Sequence, residues 1–215
     1  MNRTTGFSAS LAMLAAASAA TPARAANEDV QLWLSESLAA PLAPGIVGTF
    51  EVSQRFREAG SQVLTRGAAD VRLSPVAVVG GGVTYVSTFD ARDEFRPHQQ
   101  LTLSYGPIAL RTRVEERFFE GADRMELRLR QRIAATVPLA ERLRAAATGE
   151  LLYVARSQSE RTGAHVDSWR GGVTLTRSLT PALDGTAGYL AIFAPRQGSP
   201  DRLSHVAQLT VTLRR

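Results

Sequence analysis

Arginine and glutamate residues alternate with apolar residues along two neighbouring segments of the sequence. The first segment carries Arg111, Arg113, Glu115 and Arg117. The second carries Arg124, Glu126, Arg128, Arg130 and Arg132. Guanidinium groups donate paired hydrogen bonds to carboxylates, phosphates and similar anions. The chemistry that this pattern favours is therefore ion pairing or anion binding.

Histidine and serine are the other residues whose types could carry chemistry. A lipid-acting hydrolase needs a histidine beside a serine and a third polar group, and His98 with Ser104 is the one candidate pair. His165 and His205 have no metal-ligand spacing with any other residue, and Gly80-Gly81-Gly82 lacks the Lys-Ser/Thr of a phosphate loop. We expect no enzyme activity, catalytic residue, cofactor or metal, and a bend or bulge at the three glycines.

The spacing of the charged residues predicts β-strands that position them. Successive side chains of a strand point to opposite faces. Ile108, Leu110 and Val114 therefore share one apolar face, opposite the ionic face, and the second segment continues the pattern with Leu127 and Leu129. The sequence predicts a hairpin that is apolar on one side and densely charged on the other.

Strand-like segments of this kind recur along the whole chain. Most of them run 10 to 13 residues, which exceeds the usual length of soluble strands and suits tilted membrane strands of about 9–11 residues. They cover residues 30–38, 46–57, 62–73, 76–88, 98–106, 108–119, 124–136, 146–157, 168–180, 183–194 and 202–213. We predict an all-β fold, an antiparallel transmembrane β-barrel of 10–12 strands.

Short and long connections alternate between these segments. Ser74-Pro75, Gly106-Pro107 and Thr180–Ala182 are short, whereas 90–97, 157–167 and 195–202 are long and polar. Outer-membrane barrels have short periplasmic turns and longer outer loops, so we place the short connections on the periplasmic side.

Two parts of the chain leave the strand count open. The segment at 30–38 is an eleventh strand that pairs outside the expected pattern, lies in the lumen, or has an unseen partner that makes twelve. Residues 137–148 have the composition of a short helix, although we favour a turn that leads into a strand.

Charge pairing selects the register of the 108–119 and 124–136 hairpin. Like charges directly opposite each other are destabilising, which favours the register that places each glutamate opposite an arginine. This register gives the pairs Arg117–Glu126, Glu115–Arg128, Arg113–Arg130 and Arg111–Arg132, joined by a loop at Glu120–Asp123. The surplus arginines then need acids from other strands.

Inward positions elsewhere supply candidates for these acids. Glu51 and Asp70 face inward by the same alternation, Glu150 is a weaker candidate, and the register of 46–57 with 62–73 sets Glu51 opposite Arg72. The predicted lumen ion network comprises Glu51, Asp70, Arg72, Arg111, Arg113, Glu115, Arg117, Glu126, Arg128, Arg130 and Arg132. It would either fill and brace a narrow barrel or line a narrow anion-preferring pore.

The first residues have the form of a secretory signal peptide. Arg3 gives a positive start, 7–20 is small and apolar, and Ala23–Ala25 fits a signal-peptidase site. We expect cleavage of residues 1–25, which leaves a single barrel domain at 26–215 and the outer membrane as its location. Its expected partners are outer-membrane lipid and the barrel-assembly machinery.

The composition of the chain argues against a nucleic-acid-binding protein. The chain of 215 residues has no cysteine and no lysine, and removing residues 1–25 leaves 23 arginines against 20 acids. This small excess and the export signal argue against nucleic acid as a partner.

The alternative to an outer-membrane barrel is a soluble periplasmic β-barrel that binds a small apolar or anionic ligand, with the apolar face turned inward.

Aromatic residues are candidates for the girdles at the two membrane interfaces. These candidates are Trp33, Trp169, Tyr85, Tyr105, Phe118 and Phe119. Tyr105 beside a tight turn and Trp169 after a long loop fit this role best.

Three blocks of the sequence resemble a known bacterial family, the domain of unknown function 2490. They are 95–101 (FRPHQQL), 111–118 (RTRVEERF) and 128–132 (RLRQR), and the likeness includes Trp33 and the ending 204–209. It covers most of residues 29–213. The resemblance implies an exported, outer-membrane-type β protein without an assigned activity, and the chain departs from the family's aromatic ending at Arg215.

Overall fold

The computed structural model describes residues 27–215, and they form one closed β-barrel. The predicted signal peptide at 1–25 lies outside the described residues. The eleven strands are β1 (Asn27–Ala43), β2 (Ile46–Phe56), β3 (Gln62–Arg72), β4 (Ala77–Thr88), β5 (Glu94–Tyr105), β6 (Ile108–Phe119), β7 (Glu126–Ala140), β8 (Leu143–Arg156), β9 (His165–Ser178), β10 (Leu183–Ala194) and β11 (Arg202–Arg214). The predicted all-β barrel is confirmed.

Each strand pairs with its sequence neighbours in antiparallel fashion, and one parallel pair closes the barrel. That pair joins β1 to β11, with Asn27 beside Arg202 and Ala39 beside Arg214. The segment at 30–38 is therefore part of the wall. A closed barrel with an odd number of strands needs one parallel neighbour pair, and β1 supplies it.

Several strand boundaries differ from the prediction. β5 begins at Glu94, four residues earlier than the predicted segment at 98–106, and the connection between β6 and β7 covers 120–125. Residues 137–148 hold the end of β7, a turn and the start of β8, so the helix alternative is wrong. Backbone pairing between β7 and β8 overrides the helical propensity of the alanines and leucines there.

The glycine triplet makes no bulge, because β4 keeps a regular register with both neighbours. A Cβ on Gly82 would lie 2.3 Å from the carbonyl oxygen of Gly67, and one on Gly80 would lie 1.8 Å from a carboxylate oxygen of Asp70. Gly82 is needed because backbone atoms of β3 occupy the space that a side chain would take.

Short turns join the strands at one end of the barrel, and longer connections join them at the other.

At the long-loop end, the Tyr85 hydroxyl donates a hydrogen bond of 2.5 Å to the Asp93 carboxylate. This bond lowers the pKa of Asp93. None of the described residues belongs to a helix long and apolar enough to cross a membrane.

Candidate functional site: the arginine-lined lumen

The hairpin of β6 and β7 has the register that charge pairing predicts. Arg117 lies opposite Glu126, and Glu115 lies opposite Arg128. The two remaining inward positions bring arginine beside arginine, at Arg111–Arg132 and Arg113–Arg130. We call these charged pairs of β6 and β7 the ladder. Its surplus arginines need carboxylates from other strands, as the sequence predicts.

Glu115 is the centre of the ion network. Its side chain is 1% exposed, and its oxygens lie 2.5 Å from Arg128, 2.8 Å from Arg130 and 3.6 Å from Arg113. Arg128 also contacts Asp167 of β9 at 3.4 Å. Glu115 lies on β6, whereas Arg128 and Arg130 lie on β7. Because breaking a buried ion pair is costly, these contacts hold the two strands together.

Glu150 is the second acid of the ladder, although the sequence ranks it below Glu51 and Asp70. It faces inward from β8 and accepts hydrogen bonds from Arg130 at 2.8 Å and Arg111 at 2.9 Å. The ranking is wrong because the lateral position of β8 beside β7 decides which acid reaches these arginines, and strand pairing sets that position.

Glu94 forms a third cluster near the long-loop end. It accepts hydrogen bonds from Arg96 at 2.7 Å and Arg117 at 2.6 Å, and Arg117 also pairs with Glu126. Glu94 and Arg96 are absent from the predicted network because the predicted strand begins only at residue 98. Continued alternation through 94, 96 and 98 is the signal that would have found them.

The predicted pairing of Glu51 with Arg72 is wrong. The observed register of β2 and β3 sets Glu51 opposite Arg66, and their side chains pair at 2.6 Å. Arg72 is exposed at the end of β3 and makes no ion pair among the described residues. The β2–β3 connection fixes a register six residues away from the one predicted.

Asp70 reaches the arginines only through an intermediate. The side-chain amide of Gln100 donates to Asp70 at 2.8 Å, and Arg113 donates to the Gln100 carbonyl oxygen at 2.7 Å. The amide therefore links an acid on β3 to a cation on β6 across two strands.

The ladder borders a cavity of about 560 Å³ inside the barrel. Five carboxylates line it: Glu51, Glu94, Glu115, Glu150 and Asp167. Twelve arginines line it: Arg55, Arg57, Arg66, Arg96, Arg111, Arg113, Arg117, Arg128, Arg130, Arg132, Arg170 and Arg202. The lining thus has an excess of seven positive charges, although the whole chain has a net charge of only +5.

The aromatic residues divide between the lumen and the exterior. Trp33 lies in the lumen beneath the guanidinium of Arg55 at 4.0 Å, and Phe119 lies beneath Arg117 at 4.5 Å. Their assignment to interfacial girdles is therefore wrong. Trp169 and Phe118 are exposed on the outer face, together with Tyr85 and Tyr105.

His98 and Ser104, the candidate catalytic pair, both lie on β5. His98 is 2% exposed and faces inward, and neither ring nitrogen has a hydrogen-bond partner among the described residues. Ser104 lies six residues further along β5, about 20 Å away at the rise of a strand, so the candidate pair is not brought together. Between residues 27 and 215, no cluster of three or more His, Asp or Glu side chains is arranged to hold a metal ion.

The exterior of the barrel is apolar along its strands. Val173, Leu175, Leu209 and Val211 are about half exposed or more. A soluble barrel would need this face inward and the arginines outward, and the structure has the opposite arrangement. The exterior instead matches the apolar band of membrane barrels, with aromatic pairs such as Phe95–Phe118 near the long-loop end.

The class of protein follows from this arrangement: an outer-membrane-type β-barrel with a charged lumen. Its fold is similar to that of a solved structure titled KdgM porin, at 12% sequence identity and a TM-score of 0.50, covering 73% of this chain and 81% of that one. No curated protein matches the sequence. The chain belongs to the family described as protein of unknown function (DUF2490), whose model matches residues 30–203.

Proposed function

We propose that this protein is a narrow outer-membrane channel that prefers small anions. The observation that carries the proposal is the excess of seven positive charges around the lumen cavity. Arginine keeps its charge at every physiological pH, and a lumen lined by one sign of charge attracts counter-ions and repels ions of the same sign. Such a pore admits anions and opposes cations.

The apolar exterior supports a location in the outer membrane. Lipid offers no hydrogen-bond partner to exposed backbone groups. A closed barrel pairs the backbone groups of neighbouring strands all around its wall and therefore suits this environment. The expected partners are outer-membrane lipid and the barrel-assembly machinery, with the long loops outside the cell and the short turns in the periplasm. The likeness to a structure titled porin agrees with this proposal in fold.

Reconstitution into planar bilayers across a tenfold KCl gradient tests the proposal. We expect discrete conductance steps and a reversal potential of the sign that marks chloride as the more permeant ion. Conductance that prefers potassium would overturn it, because the arginine excess would then not control permeation.

A structural role for the barrel is the second candidate function. The observation that favours it is the close network around Glu115, which joins β6 to β7 through Arg128 and Arg130. If this network closes the lumen, the protein stiffens the envelope without conducting ions. Bilayers that stay silent although the protein is folded and inserted would support this candidate over the channel.

A further inference from the structure

Five of the twelve arginines around the cavity have no carboxylate within ion-pair distance among the described residues. The seven others each contact at least one acid. The five are Arg55, Arg57, Arg132, Arg170 and Arg202. Uncompensated charge inside a protein is costly, so this set marks where a bound anion would gain most.

Arg55 is held in place without a partner for its charge. Its guanidinium carbon lies over the Trp33 ring, 4.0 Å from the ring centroid, and this cation–π contact helps to hold the side chain in place. Its Nε is shielded from solvent and has no hydrogen-bond partner among the described residues. The side chain is therefore oriented in advance, with an N–H group left to donate.

Arg170 lines the cavity of Arg55 from another part of the wall. It lies on β9, and three strands separate β9 from β2 in the barrel. Both arginines line the same cavity, and neither has a carboxylate within ion-pair distance among the described residues. The Arg170 Nε donates a hydrogen bond of 3.4 Å to the Ser168 hydroxyl. The rest of its donor fork makes no hydrogen bond to the described residues.

We propose that Arg55 and Arg170 form a binding site for an oxyanion within the lumen. Two guanidinium groups that line one cavity repel each other, and an anion bound between them offsets that repulsion. Each group presents paired N–H donors that match two oxygens of one ligand. The ligand class is a phosphate or a dicarboxylate, whose several oxygens satisfy both forks. A halide has no such geometry.

This inference deepens the proposed channel function and can be tested without conduction. Radiolabelled inorganic phosphate is equilibrated by dialysis with the folded mature chain in detergent, at constant ionic strength set by chloride. We expect one saturable site per chain, which unlabelled phosphate and succinate compete for and extra chloride does not. Equal competition by chloride, or no saturable binding, would overturn the inference.

Variants locate the site. Arg55→Gln and Arg170→Gln should each weaken phosphate binding at least tenfold, and Arg170→Lys should weaken it too, because it keeps the charge but loses the fork. Arg132→Gln is the matched control, since it removes one unpaired charge from the same cavity, and binding should change less than threefold. A loss as large in Arg132→Gln would overturn the site and indicate a diffuse electrostatic effect. A shift in gel mobility on heating verifies that each variant is folded.

Discussion

Val30 of β1 lies beside His205 of β11, and the two strands run in the same direction. With eleven strands, the first strand begins at the long-loop end and the last one finishes at the short-turn end. The two ends of the barrel chain are therefore on opposite sides, which an even-stranded antiparallel barrel does not allow. The parallel pair therefore predicts a membrane topology that can be tested in intact cells.

We expect an epitope tag placed just before Asn27 to be accessible on intact cells, and a tag after Arg215 to be accessible only after the outer membrane is permeabilised. The reason is the parallel β1–β11 pair combined with long loops on the outside. Antibody labelling with and without permeabilisation is the measurement. Two tags protected together would show that β1 does not complete the wall.

Glu115→Gln should destabilise the barrel strongly. It leaves Arg113, Arg128 and Arg130 with less negative charge, and breaking a buried ion pair by removing one partner costs about 3–5 kcal/mol. The free energy of unfolding in urea, with the protein in detergent, measures the effect. Glu28→Gln, an exposed residue at the start of β1, is the control and should change the free energy little. Comparable values for the two variants would contradict a bracing role of Glu115.

Charge reversal inside the lumen should change ion selectivity. Arg132→Glu lowers the positive excess of the cavity lining by two charges, and we expect the chloride-to-potassium permeability ratio to fall severalfold. Arg177→Glu reverses a charge on the exposed outer side of β9 and should leave the ratio unchanged. Reversal potentials in bilayers give both values, and a ratio that responds to Arg177 alone would contradict a lumenal pathway.

A charge placed on the outer face should cost more at mid-barrel than near its end. Val173 lies midway along β9 and is 57% exposed, whereas Val30 lies near the start of β1 and is 79% exposed. Val173→Arg should destabilise the protein by about 2–4 kcal/mol and Val30→Arg by about 0–1 kcal/mol, because the cost follows depth in the bilayer. Unfolding in lipid vesicles measures both, and equal small effects would argue against a membrane-spanning band.

Gly82→Ala should interfere with the pairing of β3 and β4. The new methyl group would meet the Gly67 carbonyl oxygen and the backbone of Ala68, at 2.3 and 2.8 Å. Gly67→Ala is the matched control, because its methyl group would meet nothing within 4 Å. We expect a lower folded fraction for Gly82→Ala only, measured from gel mobility before and after heating. A folded fraction equal to that of Gly67→Ala would show that β3 shifts to make room.

The sequence by itself determined the repeating features of this protein. Alternation with period two shows which side chains share a face, and like-charge repulsion selects the Arg117–Glu126 register from two candidates. The strands are long enough to cross a membrane when tilted, and this length indicates a membrane barrel. These are local properties, and they need no knowledge of which strands are neighbours beyond one hairpin.

Only the tertiary structure decided how the barrel closes and which distant groups meet. The parallel β1–β11 pair, the partnership of Glu51 with Arg66, and the approach of Glu150 to Arg130 depend on register and curvature around the whole ring. The same holds for Trp33 beneath Arg55, which alternation alone could not separate from an interfacial aromatic. A shift of one residue in register moves every side chain to the other face, so these contacts follow from closure and not from local pattern.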